Sequence, residues 1–175
     1  MSVNSVGDQS TLLARRMSAL ADVPLFEALK HDLEGLNFLA SLVEERNFDS
    51  GKVIFREGEP GTELFILTRG KIGIYKKTLE GEEFEVAVAD PKSQHFFGEG
   101  GLLDSDMRSA TLRAEVDSRT LVLDQVHFEL FCKKFPHLGV QVLQKIAQAV
   151  MVRMRRTNAD LMMLYQALIA EIRGN

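Results

Sequence analysis

The chain has 175 residues, with 21 lysines and arginines against 25 aspartates and glutamates. This length gives room for one domain with a sizeable core and one long appendage. The mild negative charge gives no reason to expect a nucleic acid or an anionic membrane as partner. Cys132 is the only cysteine, which excludes an internal disulfide and is typical of a reducing compartment.

Residues 1–22 form a predicted N-terminal helical extension. Its apolar side chains recur at helical spacing, and they are Leu12, Leu13, Met17 and Leu20. The segment lacks the apolar core of a signal peptide, and no apolar run in the chain is long enough to span a bilayer. The predicted location is therefore the cytoplasm.

A second helical stretch follows a short turn that begins at Pro24. Its apolar positions are Leu33, Leu36, Leu39, Ala40 and Val43. This spacing predicts an amphipathic helix that ends near Arg46.

From Gly51 onwards the apolar period changes from helical spacing to two, which is typical of strands. The predicted strands cover residues 52–55, 64–67, 72–75, 84–89, 110–114 and 119–124. Turn-forming residues such as Gly58, Gly61 and Gly70 separate them. Several short strands joined by turns indicate a sandwich or a barrel.

One stretch, residues 96–114, carries the groups of a ligand site. Gly98, Gly100 and Gly101 flank the carboxylate of Glu99, and Arg108 follows before the next strand. Free backbone N–H groups in such a turn form an anion-binding concavity, and a guanidinium adds a planar fork of donors. An ionised carboxylate needs a donor such as a ribose hydroxyl. The set suits a small sugar phosphate, and the alternative is a salt bridge between Glu99 and Arg108.

This stretch resembles the phosphate-binding cassette of the cyclic nucleotide-binding domain family. The family pattern is Phe-Gly-Glu, a small residue, a Leu pair and Arg-(Ala/Ser/Thr)-Ala-Thr. It stands here as Phe97-Gly98-Glu99, Gly101, Leu102-Leu103 and Arg108-Ser109-Ala110-Thr111. The resemblance implies that Glu99 takes the ribose 2′-hydroxyl, Arg108 the cyclic phosphate, and Ser109 the phosphate or the purine edge. Gly100 departs from the family, which usually has a larger apolar residue there.

The resemblance also implies the fold and the ligand. It implies a mainly β protein with flanking helices, in which residues 23–135 form a jelly-roll-like β-roll. The implied ligand is cAMP or cGMP, and the sequence does not choose between them. No cofactor is implied.

Metal binding and catalysis find little support in the residues. A mononuclear metal site in a β-roll typically uses a His-x-His pair with a nearby Glu, and none of the four histidines forms such a pair. His95 and Glu99 are the nearest approach to one. Cys132 lies among apolar residues, where a packed thiol is expected. We therefore predict no metal and no catalytic residue.

Residues 136–175 are predicted to form one long C-terminal helix, since only Gly139 interrupts a run of helix formers. Its apolar side chains recur at steps of three and four, and they are Leu143, Ile146, Val150, Met154, Leu161, Leu164, Leu168 and Ile172. We predict that this helix pairs with its copy in a two-fold dimer. The alternative is a helix folded back over the roll, and a membrane-lying tail is disfavoured because its polar face lacks a cluster of cations.

Part of this helix resembles the dimer helix of bacterial catabolite-activator-type proteins. The matching segment is Arg153-Met154-Arg155-Arg156-Thr157-Asn158. By resemblance, Thr157 and Asn158 reach the purine, the latter from the partner subunit. The alternative is a polar break that fixes only helix register. The three arginines are expected on a solvated helix face.

The sequence thus predicts a stand-alone sensor that signals through its C-terminal helix to an effector protein. No helix-turn-helix pattern follows Ile172, so direct DNA binding is not expected. The alternative function is an oligomerisation or docking module on the same fold. The predicted ligand contacts are Gly98, Glu99, Gly100, Gly101, Leu102, Arg108, Ser109, Thr157 and Asn158.

Overall fold

The structure is a computed structural model that describes residues 4–104 and 107–174. The helices are α1 Asn4–Ala21, a 3-10 helix Pro24–His31, α2 Leu33–Leu42, α3 Glu99–Asp104, α4 Gln125–Lys134 and α5 Pro136–Gly174. The strands are β1 Glu44–Phe48, β2 Val53–Phe55, β3 Glu63–Arg69, β4 Ile72–Lys77, β5 Glu83–Ala89, β6 Phe96–Phe97, β7 Thr111–Ala114 and β8 Ser118–Asp124. Residues 1–3, 105–106 and 175, which belong to predicted segments, lie outside the described residues.

The eight strands form two antiparallel sheets of four strands, in the orders β1-β8-β3-β6 and β2-β7-β4-β5. Helices flank these sheets, and a long helix follows them. The predicted fold, a β-roll with flanking helices and a long C-terminal helix, is confirmed.

Strand β3 contributes side chains to two separate apolar clusters, one on each face of its sheet. Leu64 and Ile66 pack with the helices in the larger apolar cluster, while Phe65 and Leu67 pack in a second cluster between the two sheets. Successive side chains of a strand point to opposite faces, so a strand between two cores is apolar at every position. We call the second cluster the inner core of the roll.

The prediction for the second helix was wrong at its C-terminal end. Helix α2 stops at Leu42, and the following residues form β1, which pairs with β8. The sequence Glu44-Glu45-Arg46-Asn47 lacks apolar alternation because β1 is an edge strand. The position of β1 is stabilised by its hydrogen bonds to β8 and by the ion pair between Arg15 and Glu45, 2.8 Å apart.

Helix α5 begins against the roll and then leaves it. Val142 and Ile146 are buried in the larger apolar cluster, but Leu161, Leu164 and Leu168 are 64%, 69% and 54% exposed. The helix is continuous over 39 residues, so it is about 58 Å long. The alternative of a helix folded back over the roll is therefore wrong. Within the described ranges, no helix combines the length and the apolar character needed to cross a bilayer.

Candidate ligand-binding site

Arg108 is the centre of the candidate site, and its side chain is only 6% exposed. The guanidinium lies over the ring of Phe55, with the carbon atom 4.2 Å from the ring centre. Its Nη1 donates to the backbone carbonyls of Glu63 at 2.8 Å and Gly98 at 3.3 Å. Burial lowers the pKa of this guanidinium, while the nearby carboxylates of Glu63 and Glu99 act in the opposite direction.

The cassette, residues 96–114, is built around this side chain. Gly98 has φ +79°, a left-handed conformation that glycine adopts without a steric penalty. A Cβ on Gly101 would lie 2.1 Å from the carbonyl oxygen of Gly61, and a Cβ on Gly61 would lie 2.1 Å from Nε of Arg108. These close backbone approaches need glycine at both positions, and they enclose the guanidinium.

Glu99 opens helix α3, and its carboxylate is bonded to the guanidinium of Arg153 from α5. The alternative of a salt bridge between Glu99 and Arg108 is therefore wrong. Arg153 also lies over the ring of Phe96, 5.6 Å from its centre. The expectation that Arg153 belongs to a solvated helix face was wrong, because the sequence gives no sign of a contact over 54 positions.

The other predicted contacts in the cassette differ in how far they are buried. Gly100 is exposed, with open space where a Cβ would stand. Leu102 is 2% exposed, and its side chain belongs to the larger apolar cluster. Ser109 is exposed next to Arg108. Of the predicted contacts, Gly98 is bonded to Arg108 through its carbonyl, and a Cβ on Gly101 would lie 3.1 Å from the same Nη1 atom.

Thr157 and Asn158 are exposed on α5, beyond its contact with the roll. Thr157 lies one turn after Arg153 and shares its face, whereas Asn158 is five positions on and points about 140° away. Within one chain, Asn158 therefore faces away from the cassette.

His95 and Cys132 are the two residues that we considered for a metal site and for a thiol nucleophile. His95 is packed edge-on against Phe96, and burial lowers its pKa. Burial raises the pKa of the Cys132 thiol. Among residues 4–104 and 107–174, no group of three or more His, Cys, Asp or Glu side chains is arranged to hold a metal ion.

The family of the chain follows from comparison with known proteins. The family model described as "Cyclic nucleotide-binding domain" matches residues 45–135, which is just over half of the chain. The chain belongs to the cyclic nucleotide-binding domain family. The match contains the whole cassette together with the strands that position Arg108.

Individual relatives of this cyclic nucleotide-binding domain agree with the match. The chain is 28% identical over 123 residues to the CRP-like cAMP-activated global transcriptional regulator of Mycobacterium tuberculosis, which covers 70% of this chain and 52% of the relative. It is 33% identical over 120 residues to cGMP-dependent protein kinase 2 of Homo sapiens, which covers 68% of this chain and 15% of the relative. The chain thus spans at most about half the length of these two relatives.

A solved structure supports the fold as well. The N-terminal domain of a transcriptional regulator from Streptomyces coelicolor matches with a TM-score of 0.64 and 30% identity, covering 82% of this chain and 94% of that one. The family match, the relatives and the solved structure thus agree on the family and on the fold.

Proposed function

We propose that this chain is a regulatory module that binds a cyclic nucleotide, cAMP or cGMP, between Arg108 and Glu99. The observation that carries the proposal is the environment of Arg108. Its guanidinium is buried, and within the described residues its hydrogen-bond acceptors are backbone carbonyls rather than a carboxylate. A buried cation is stabilised by an anion that it can bond directly, and the phosphate of a cyclic nucleotide would supply one.

Glu99 supplies the second contact. The ribose 2′-hydroxyl of a bound nucleotide donates to this carboxylate, which already accepts from Arg153 of α5. The ligand and the helix therefore meet at one acidic side chain. A ligand shifts a conformational equilibrium only by its preference for one arrangement, and this shared acceptor provides such a preference. We propose that α5 transmits the change to an effector protein, without catalysis by this chain.

Binding is tested directly by titration calorimetry and thermal shift. We expect cAMP or cGMP at micromolar concentration to bind one site per chain and to raise the melting temperature, because ligand binding to the folded state stabilises it. AMP serves as the matched control, since it lacks the cyclic phosphate. Failure of both cyclic nucleotides to bind would instead support the oligomerisation or docking module.

The proposed homodimer rests on the exposed half of α5. Leu161, Leu164, Leu168 and Ile172 are all more than half exposed, and an apolar helix face of this extent is unfavourable in water. Asn158 lies beside this apolar seam rather than at its centre, and we propose, from the family resemblance, that it reaches the purine bound by the partner subunit. Thr157 lies on the face of its own cassette.

Replacing Leu164 by glutamate is expected to convert the dimer to a monomer, because the charge enters the centre of the apolar seam. Light scattering coupled to gel filtration measures the mass. Gln166→Glu, which adds the same charge at a polar position two residues away, is expected to leave the dimer intact. A dimer that survives Leu164→Glu contradicts pairing through this seam.

A further inference from the structure

A second ion pair lies beside Arg108, away from the pair formed by Glu99 and Arg153. Lys76, near the end of β4, donates from Nζ to the carboxylate of Glu57 at 2.9 Å. The same ammonium is bonded to the backbone carbonyl of Ser109. Ser109 directly follows Arg108 in the chain, so Lys76 contacts the backbone of the cassette one residue after the proposed phosphate ligand.

Lys76 lies on the face of β4 that is turned towards the inner core. Ile72 is fully buried there, and Ile74 packs against the same cluster. Alternate residues of a strand share a face, so Lys76 is the next position on this face. Its side chain is 42% exposed, which places the ammonium at the rim of the roll rather than inside it.

Glu57 holds this ammonium in place. One of its carboxylate oxygens accepts from Lys76, and the other accepts from the backbone N–H of Lys77 at 3.1 Å. The backbone N–H of Glu57 in turn donates to the hydroxyl of Thr111 at 3.0 Å. Both oxygens of Glu57 are thus engaged. An ammonium has three donors, and the two bonds described for Lys76 leave it a third.

The parts of a bound nucleotide can be assigned to these groups. With the phosphate on Arg108 and the ribose on Glu99, the base is the remaining part. Arg153 is bonded to Glu99 and lies over Phe96. Lys76 contacts the cassette at a different residue, the carbonyl of Ser109. Resting on the proposed function, we propose that Lys76 contacts the purine and makes the site selective for guanine over adenine.

The preference follows from the donors and acceptors of the two bases. Guanine presents two adjacent acceptors, N7 and O6, whereas adenine presents N7 and a donor amine at position 6. An ammonium can only donate. The one remaining N–H can be shared between N7 and O6 of guanine, whereas with adenine it reaches only N7 and lies close to the donor amine. Lys76 is thus a specificity-determining residue, and cGMP is the preferred ligand.

The test compares cGMP and cAMP dissociation constants by calorimetry for the wild type, Lys76→Met and Lys77→Met. We expect the wild type to bind cGMP more tightly. Lys76→Met is expected to weaken cGMP binding about tenfold and cAMP binding less than about threefold. Lys77→Met removes the same charge one residue away and keeps the N–H that Glu57 accepts, so it is expected to leave the ratio unchanged. Melting temperatures without ligand show that each variant is folded.

Several outcomes overturn the inference while leaving the proposed function standing. A wild type that prefers cAMP is one, and an unchanged ratio in Lys76→Met is another. A loss of selectivity in Thr157→Ala or Asn158→Ala but not in Lys76→Met assigns the choice between guanine and adenine to α5 instead. A wild type that binds neither nucleotide refutes the proposed function itself, and the role of Lys76 falls with it.

Discussion

Arg108→Ala is expected to weaken cyclic nucleotide binding by at least about 30-fold. The change removes the buried cation that faces the phosphate, and truncating one partner of a buried, hydrogen-bonded charge pair costs about 2–5 kcal/mol. Each 1.4 kcal/mol corresponds to a tenfold change in affinity. Calorimetry on the purified variant measures this loss.

Two matched variants test whether the loss of affinity is specific to Arg108 or follows from the loss of any positive charge. Arg113 lies in β7, is paired with Glu83 at 2.8 Å and is about one-third exposed. Arg113→Ala is expected to change affinity less than about twofold, because exposed ion pairs contribute little. Arg108→Lys keeps the charge but loses the planar fork, so an intermediate loss is expected. An Arg108→Ala variant with unchanged affinity removes this residue from the site.

The guanidinium also has a structural role, so its removal changes more than binding. Nη1 ties the carbonyl of Glu63 in β3 to that of Gly98 in the cassette. Loss of these bonds leaves two partly buried carbonyls without a charged donor, and buried unsatisfied groups are destabilising. We therefore expect Arg108→Ala to lower the melting temperature as well. Affinities should be compared at a temperature well below the melting temperature of the variant.

The cassette was predictable because its constraints are local. Gly98, Glu99 and Arg108 lie within eleven residues, and their types follow from one turn and one buried cation. The strands of the inner core were likewise visible, as alternating apolar residues in β4 and as a continuous apolar run in β3. Strand β1 was not, because an edge strand with charged side chains lacks that alternation and depends on β8 for its hydrogen bonds.

The contacts that the sequence did not predict join distant segments. Arg153 meets Glu99, and Lys76 meets both Glu57 and Ser109. A charged residue on a helix or at a strand end is usually solvated, so its type alone gives no reason to expect a partner. These contacts connect the predicted cassette to α5 and to β4. The regulation and the base selectivity that we propose therefore depend on tertiary structure.

The neighbouring glycines of α3, Gly100 and Gly101, differ in the space that surrounds them. A Cβ on Gly101 would lie 2.1 Å from the backbone carbonyl oxygen of Gly61, and a backbone atom cannot move aside as a flexible side chain does. Gly101→Ala is therefore expected to push α3 away from Gly61 and to shift Glu99 relative to Arg108. We expect cyclic nucleotide binding to weaken more than about tenfold, because displacements of this size disrupt ligand positioning.

Gly100→Ala is the matched control, since nothing lies within 4 Å of a Cβ at that position. Alanine is a better helix former than glycine by about 1 kcal/mol, so this variant is expected to retain or slightly raise the melting temperature. Overpacking by Gly101→Ala costs about 1–3 kcal/mol, which for a chain of this size lowers the melting temperature by roughly 2–12 °C. Equal melting temperatures and affinities for the two variants would contradict the close approach of α3 to Gly61. Opposite effects at these two adjacent glycines would show that the close packing around Arg108 depends on Gly101 and not on Gly100. The departure from the family pattern at Gly100 would then leave the cassette intact.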